Sequence, residues 1–259
     1  MPKDVRDDVF KLYSFVRVVD DYVDRPQPDK TAIKRIEKRW NSIKKDLASA
    51  RRLDDSVDER VLGNIAYVVH RYNCKPEWVD SFLKSMRMDL DARVYETIDD
   101  TLEYVYGSAE VIGLFMAAIL GLPVAAQETA RLQGRAMQFI NFIRDIAEDN
   151  ELGRCYFPRE DLITFGLKDL SEHEVARKPA EFREFVEFQV ERYTQWQREA
   201  AKGFRYIPKR SRIAIRTAVD MYNWTAQNLA ENPSLIFEKK LKPSRGRVLR
   251  SGVKRVLYG

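Results

Sequence analysis

Apolar residues recur every three or four positions along most of the chain. The clearest runs are Val9, Leu12, Tyr13, Val16, Val19 and Val23 and, later, Phe182, Phe185, Val186, Val190 and Tyr193. This spacing gathers the side chains on one face of an α-helix. Alternating apolar and polar positions bounded by turn-forming pairs, which would indicate β-strands, are not visible. The pattern therefore predicts an all-α fold, built as a bundle of helices.

Prolines and capping sequences mark the expected helix boundaries. The prolines divide the chain into segments of roughly 15 to 35 residues. Ser56–Glu59 and Ser171–Glu174 fit the capping box, in which a hydroxyl and a carboxylate satisfy free amides at a helix start. The longest uncharged run, Val111–Gln127, has 17 residues, fewer than the roughly 20 that a membrane span needs. We therefore expect this run to form a buried core helix.

The composition indicates what class of protein this is and in which compartment it is found. With 259 residues, 44% hydrophobic and 33% charged, the chain is a typical globular protein, and we expect one domain over residues 1–259. Only two cysteines are present, and the charged N-terminus has no apolar stretch of the kind found in signal peptides. We therefore expect a cytoplasmic protein in a reducing compartment.

Residues 239–259 differ in charge from the rest of the chain. They include eight basic residues, no acidic residue and several aliphatic side chains. Such a basic C-terminal segment is suited to peripheral contact with an anionic membrane, and a solvated tail is the alternative. Nucleic acid is not expected as a partner, because the rest of the chain is nearly balanced in charge and contains no nucleic-acid-binding motif.

Two acidic side chains in the first apolar run are one helical turn apart. Asp20 and Asp24 are separated by four positions, so on a helix both carboxylates point the same way. Like charges at this spacing cost about 0.2–0.5 kcal/mol, and burial beside Val16, Val19 and Val23 adds to that cost. Local stability does not explain the pair, and we expect a cation between the two carboxylates.

A second row of oxygen-bearing side chains repeats this spacing. Asn141, Asp145 and Asp149 follow one another at four-residue steps within another apolar helix. A single pair of this kind more often forms surface ion pairs, but two rows facing each other suit a hard cation, Mg²⁺ or alternatively Mn²⁺. Arg17 and Arg144, each close to one row, are suited to binding phosphate oxygens.

These motifs resemble those of the squalene and phytoene synthase family of head-to-head isoprenoid synthases. In this chain, the segment that is similar to the family's first aspartate motif is Tyr13-x-x-x-Arg17-x-x-Asp20-Asp21-x-x-Asp24. The segment that is similar to the family's second aspartate motif is Gln138-x-x-Asn141-x-x-Arg144-Asp145-x-x-Glu148-Asp149, followed by Gly153-Arg154-x-Tyr156-Phe157-Pro158. The resemblance extends from about Val9 to Arg247, and it departs at Glu110, where the family commonly has a small residue.

The resemblance implies a single-domain helical bundle with the two motifs facing each other across a central cavity. It implies that Mg²⁺ is bound by Asp20, Asp24, Asp145 and Asp149, supported by Asp21 and Glu148. It assigns the substrate diphosphate to Arg17, Gln138, Asn141 and Arg144. It assigns catalytic positions in the cavity wall to Tyr13, Tyr104 and Tyr222.

The reaction implied by the resemblance joins two prenyl diphosphates through a cyclopropylcarbinyl diphosphate, which then rearranges to a linear hydrocarbon. Small residues at helical spacing match the family's chain-binding pocket, although tight helix packing explains them equally well: Ala109, Gly113, Ala130 and Gly134. An open pocket favours two geranylgeranyl diphosphates and phytoene as the product. The alternatives are squalene, which alone requires NADPH, or dehydrosqualene from farnesyl diphosphate.

Two further interpretations remain open. One is a different Mg²⁺-dependent prenyl enzyme, either a chain-elongating synthase or a terpene cyclase, although the second motif favours head-to-head condensation. The other is a non-catalytic binding or assembly member of the family, suggested by the short stretch before the first motif. Retention of all four aspartates argues against a non-catalytic role.

Overall fold

The computed structural model describes residues 3–25, 27–48, 56–91, 93–238 and 241–258. Every regular element within these ranges is helical, which confirms the predicted all-α fold. The helices are α1 (Lys3–Val23), α2 (Lys30–Ile43), α3 (Val57–Arg71), α4 (Pro76–Met88), α5 (Ile98–Val105), α6 (Val111–Ile119), α7 (Gln127–Arg144), α8 (Ile146–Glu151), α9 (Arg159–Thr164), α10 (Glu172–Arg177), α11 (Pro179–Ala201), α12 (Lys209–Glu231), α13 (Leu235–Glu238) and α14 (Arg245–Tyr258). A π-helical turn at Tyr106–Glu110 joins α5 to α6.

The capping sequences start helices where they were expected. The side-chain oxygens of Ser56 and Ser171 accept hydrogen bonds from the amides of Glu59 and Glu174, each at 3.3 Å. The carboxylates of Glu59 and Glu174 contact other parts of the chain. Glu59 pairs with an arginine of α2, and Glu174 accepts a hydrogen bond from the amide of a loop residue. The serine caps are thus confirmed, while the carboxylates serve tertiary contacts.

The long uncharged run forms a core helix that is shorter than the run itself. Helix α6 ends at Ile119, and Gly121 adopts a φ of +64°, a conformation that favours glycine. The amides of Gly121 and Leu122 bond back to the carbonyls of Ala118 and Ala117, both at 2.9 Å. This Schellman arrangement closes the helix before the next segment begins.

One helical stretch deserves comparison with a membrane span. Among the described residues, Ile98–Ile119 has the length and apolar composition to cross a bilayer, yet 56% of its most apolar window is buried within the protein. It packs against α4 and α7. The stretch therefore behaves as a core helix.

Close helix packing around α7 depends on small residues. A Cβ atom at Gly113 would lie 2.1 Å from the carbonyl oxygen of Ala130, and one at Gly134 would lie 2.3 Å from that of Ala109. Both distances are far below a normal carbon–oxygen contact. The four small residues thus bring α6 and the π-helical turn against α7, so the packing explanation for them holds.

The buried side chains form two clusters that meet at this packed region. The first gathers residues of α1–α4 and α6, including Phe15 and Trp40. The second gathers residues of α5, α7 and the later helices, including Phe139 and Phe185. Because α1 belongs to the first cluster and α7 to the second, the two aspartate rows are carried by different parts of the core.

We expect Gly113→Ala to destabilise the protein, because the added methyl group meets backbone that has no room to move. Overpacking of this kind costs about 1–3 kcal/mol. Urea denaturation measures the change. Gly246→Ala in α14 is the matched control, because the added Cβ meets no atom within 4 Å. This substitution should stabilise the protein by about 0.5–1 kcal/mol. Equal effects of the two substitutions would contradict this account.

Candidate functional site

The first aspartate row lies at the C-terminal end of α1. The helix ends at Val23, one residue before Asp24. The amide of Asp24 still donates to the carbonyl of Asp20 at 3.0 Å. The helical turn is therefore completed, and Asp24 is held one turn beyond Asp20 as the spacing predicts.

The second row crosses the junction between α7 and α8. Asp145 interrupts the helix with φ −101° and ψ 13°. The amide of Asp145 nevertheless donates to the carbonyl of Asn141, and that of Asp149 donates to the carbonyl of Asp145, both at 2.8 Å. The four-residue step thus survives a break that the sequence pattern did not predict.

The pKa values of the carboxylates show that the two rows share one region. Burial, followed by the charge of Asp24, raises the pKa of Asp20 to about 7, although its side chain keeps 36% of its surface exposed. Burial, followed by the charge of Asp145, raises the pKa of Asp149 to about 8. Asp24 and Asp89 contribute to both shifts. Charges from the first row therefore act on the second.

Arginines contact both rows. Arg144 donates to both oxygens of Asp145 at 2.8 and 2.6 Å. Arg154 donates to Asp24 at 2.8 Å and to the carbonyl of Val23 at 2.6 Å, which ties the second motif to the end of α1. Arg17 pairs with Asp21 at 2.9 Å.

No group of three or more His, Cys, Asp or Glu side chains within the described ranges converges closely enough to hold a metal ion. The assignment of Asp20, Asp24, Asp145 and Asp149 as metal ligands therefore stays a prediction. Asp21 is half-exposed beside Arg17, and Glu148 is exposed.

A further carboxylate, Asp89, contributes to the pKa shifts of both rows and was given no role from the sequence. It accepts hydrogen bonds from the hydroxyls of Tyr104 at 2.7 Å and Tyr156 at 2.8 Å. Burial raises its pKa to about 6, although Arg154 and the two hydroxyls act in the opposite direction. Asp89 is far from both motifs in sequence, 65 positions after Asp24 and 52 before Asn141, so the spacing within the motifs gives no sign of it.

The position of Tyr104 differs from the expected one. Its ring is 3% exposed within an aromatic cluster and does not line the cavity described next. Its hydroxyl holds Asp89 instead. In the structure, Tyr104 therefore positions the Asp89 carboxylate and does not form part of the cavity wall.

An apolar cavity of about 460 Å³ extends along α7 from the second row. Asn141, Gln138, Tyr13 and Tyr222 line the part nearest the aspartates, as expected for site residues. The lining continues along α7 to Thr129, twelve positions from Asn141, a distance of about 18 Å on a helix. The wall also contains the small residues that allow close packing: Ala109, Gly113, Ala130 and Gly134. These residues therefore both allow close packing and line the cavity.

Two buried oxygens among the described residues have no hydrogen-bond partner, and both belong to residues lining this cavity. They are Oγ of Ser108 and Oδ1 of Asn141. Buried polar atoms are rarely left unpaired because desolvation costs about 1–3 kcal/mol. An oxygen without a partner, in the row that carries Asp145 and Asp149, is available to a ligand.

Glu110, the departure from the family pattern, does not line the cavity. Its carboxylate is 1% exposed and bonds to Arg131 at 2.8 Å and Arg135 at 2.7 Å. The two arginines compensate the buried charge and join the π-helical turn to α7. The larger side chain is thus directed away from the cavity.

Comparison with known proteins agrees with this geometry. Residues 1–247 match the family model described as "Squalene/phytoene synthase". A 15-cis-phytoene synthase of Enterobacter agglomerans is 30% identical over 244 residues, which cover 92% of this chain and 82% of that protein. A 15-cis-phytoene synthase of a Paracoccus species is 32% identical over 177 residues, covering 65% of this chain and 56% of that protein.

A solved structure shares the fold. The crystal structure of a dehydrosqualene synthase superposes with a TM-score of 0.85 at 23% identity, covering all of this chain and 88% of that one. The chain therefore belongs to the squalene/phytoene synthase family, a family of prenyltransferases. It spans about half to four-fifths of the length of the two phytoene synthases compared above.

We expect the protein in a chelator to become less stable as the pH rises from about 6 to 8.5. Asp20 and Asp149 retain protons in the folded state up to pKa values of about 7 and 8, whereas in the unfolded chain they ionise near pH 4. The stability that this difference provides is fully present below about pH 4, falls steadily as the pH rises, and is gone above about pH 8. Thermal denaturation across this range measures the fall.

Mg²⁺ should offset that loss, because it binds ionised carboxylates. The rise in Tm on adding MgCl₂ should be larger at the alkaline end of the range, and NaCl of equal ionic strength is the control. A Tm that rises with pH in chelator, or a Mg²⁺ effect independent of pH, would contradict the assignment.

We expect Tyr104→Phe to destabilise the protein by about 1–2 kcal/mol, because it removes a hydrogen bond to a buried charge. Tyr95→Phe is the matched control, since its ring lies in the same cluster, 6.1 Å from that of Tyr104, and no hydrogen bond to Asp89 depends on it. Urea denaturation compares the two variants. A larger loss in Tyr95→Phe would contradict the positioning contact.

Proposed function

We propose that this protein joins two molecules of geranylgeranyl diphosphate head to head, through a cyclopropylcarbinyl diphosphate, to make phytoene for carotenoid biosynthesis. The observation that supports this most is a long apolar cavity that reaches Asn141, the first residue of the row that continues with Asp145 and Asp149. Such a site binds an anionic head and an apolar tail together. The phytoene synthases at 30–32% identity support the same substrate class.

The length of the cavity favours the longer prenyl chain. An extended carbon chain advances about 1.25 Å per bond, so a geranylgeranyl tail is about 19 Å long and a farnesyl tail about 14 Å. The lining from Asn141 to Thr129 covers about 18 Å, and Ala126 and Leu122 extend it further. A geranylgeranyl tail therefore fits along α7 without bending back.

The chemistry of the rows fits Mg²⁺, with Mn²⁺ as a substitute. Asp20, Asp24, Asp145 and Asp149 would hold the ions, because they are oxygen donors whose mutual repulsion a divalent cation relieves. The unpartnered oxygen of Asn141 adds a neutral donor. When bound, Mg²⁺ supplies positive charge that stabilises a departing diphosphate.

The chain's own residues orient the diphosphate and protect the cation left behind. In this proposal Arg17, Arg144, Gln138 and Asn141 bind its oxygens. The apolar wall excludes water from the allylic carbocation that ionisation leaves.

Aromatic rings steady this carbocation at the polar end of the cavity. The rings of Tyr13 and Tyr222 lie there, and each stabilises a nearby cation by about 0.5–2 kcal/mol.

His70 and His173 are exposed and do not line the cavity. The final proton therefore passes to the released diphosphate or to a tyrosine.

The proposed product also suggests where the enzyme works. Phytoene is a hydrocarbon that leaves water for a bilayer. We place the enzyme in the cytoplasm, in peripheral contact with the inner face of an anionic membrane.

Incubation with geranylgeranyl or farnesyl diphosphate, with Mg²⁺ and with or without NADPH, tests the proposal after lipid extraction. We expect phytoene from geranylgeranyl diphosphate without NADPH. Squalene formed only with NADPH, or dehydrosqualene from farnesyl diphosphate, would replace the proposed product. No hydrocarbon under any condition would favour a non-catalytic role.

Asp20→Ala and Asp145→Ala should each abolish turnover while leaving the helical content unchanged, as circular dichroism can verify. Asp99→Ala on the exposed start of α5 is the matched control and should retain full activity. Full activity of either row variant would contradict the assigned ligands.

A further inference from the structure

Helix α14 is anchored to α12 through one of its faces. Arg255 donates to both carboxylate oxygens of Asp220 at 2.9 and 2.5 Å, and the hydroxyl of Ser251 donates to the same group at 2.6 Å. The guanidinium of Arg247 lies 4.6 Å from the centroid of the Trp224 ring. These contacts determine which face of α14 points outward.

The outer face of α14 carries exposed aliphatic side chains. Leu249, Val253 and Val256 are 69%, 58% and 59% exposed. At about 100° per residue they lie within an arc of roughly 60°, on the side of the helix away from Ser251 and Arg255. Single exposed aliphatic residues are common on protein surfaces, whereas these three form a continuous apolar stripe on one helix.

Two basic residues lie on one side of this stripe. Arg250 and Lys254 are exposed and one turn apart, at about 60° and 100° around the helix from the nearest residue of the stripe. The segment 239–259 has eight basic and no acidic residues, of which Lys239 and Lys240 lie outside the described residues, as does Gly259. Because the whole chain has a net charge of +5, the remainder is net negative. The positive charge is therefore concentrated on this segment.

We propose that the outer face of α14 binds the surface of an anionic phospholipid bilayer. The apolar stripe enters the boundary between headgroups and acyl chains, and Arg250 and Lys254 contact lipid phosphates. A symmetric contact between two copies would bring like-charged segments together. Nucleic acid would neutralise the basic residues but leave the stripe in water.

This inference names the surface that makes the membrane contact suggested above, but its evidence is independent of the reaction. The residues of the stripe and its flanks do not line the apolar cavity and do not belong to either aspartate row. Lipid binding is therefore measured without substrate.

Co-sedimentation of the full chain with vesicles tests the proposal. Phosphatidylcholine vesicles with about 30% phosphatidylglycerol should retain the protein at low salt, and pure phosphatidylcholine vesicles should not. Arg250→Gln/Lys254→Gln should weaken binding about 25-fold, since each basic side chain near the surface contributes about fivefold. Leu249→Ser/Val253→Ser/Val256→Ser should weaken it at least about tenfold.

Matched variants separate these effects from general changes in charge or hydrophobicity. Lys34→Gln/Lys38→Gln removes two exposed charges one turn apart on α2. Val94→Ser/Ile163→Ser removes two aliphatic side chains that are 70% and 66% exposed elsewhere. Both should bind vesicles as the unmodified protein does, and all variants should keep its helicity and Tm.

Three results would overturn the proposal: no binding to anionic vesicles, binding unaffected by both α14 variants, or equal loss in the control variants. Binding to labelled DNA that survives the triple serine substitution, in place of vesicle binding, would assign the surface to nucleic acid. A dimer that the triple serine substitution dissociates in sedimentation velocity would assign it to a second copy. Vesicle binding by a protein that makes no hydrocarbon would refute the proposed function alone.

Discussion

Negative charge placed against an apolar interior is the constraint on which the rest of this structure depends. Carboxylates from the end of α1, the α7–α8 junction and the end of α4 act on one another's pKa beside a cavity walled by aliphatic and small residues. Burial raises the pKa of Asp20, Asp89 and Asp149, so ionisation of all of them together is unfavourable. Arg144 and Arg154 compensate part of this charge, and divalent cations are suited to compensate the remainder.

The close packing of α7 shapes the cavity as well as the core. Gly113 and Gly134 let α6 and the π-helical turn approach α7 until backbone atoms touch. The same residues leave the cavity open because they add no side chain to its wall. Stability and the volume of the cavity are therefore linked, and a change that fills the cavity here also separates the helices.

The polar and apolar parts of the site come from different stretches of chain. Arg154, which follows the second motif, donates to Asp24 and to the last carbonyl of α1. Tyr104 and Tyr156, from two further segments, donate hydrogen bonds to Asp89, which acts on the pKa of both rows. A site assembled in this way tolerates little displacement of any one helix, since each carboxylate is oriented by a partner distant in sequence.

Local periodicity was enough to establish the helical class, the serine caps, and the four-residue steps of both rows, because these features depend on neighbours within one helical turn. Tyr13, Gln138, Asn141 and Tyr222, which the resemblance assigned to the site, line the same cavity, while their roles stay predictions. Three features required the folded chain: the role of Asp89, the inward contact of Tyr104, and the outward face of α14. Each depends on side chains more than ten positions apart in sequence, and no local spacing specifies which distant helix lies opposite.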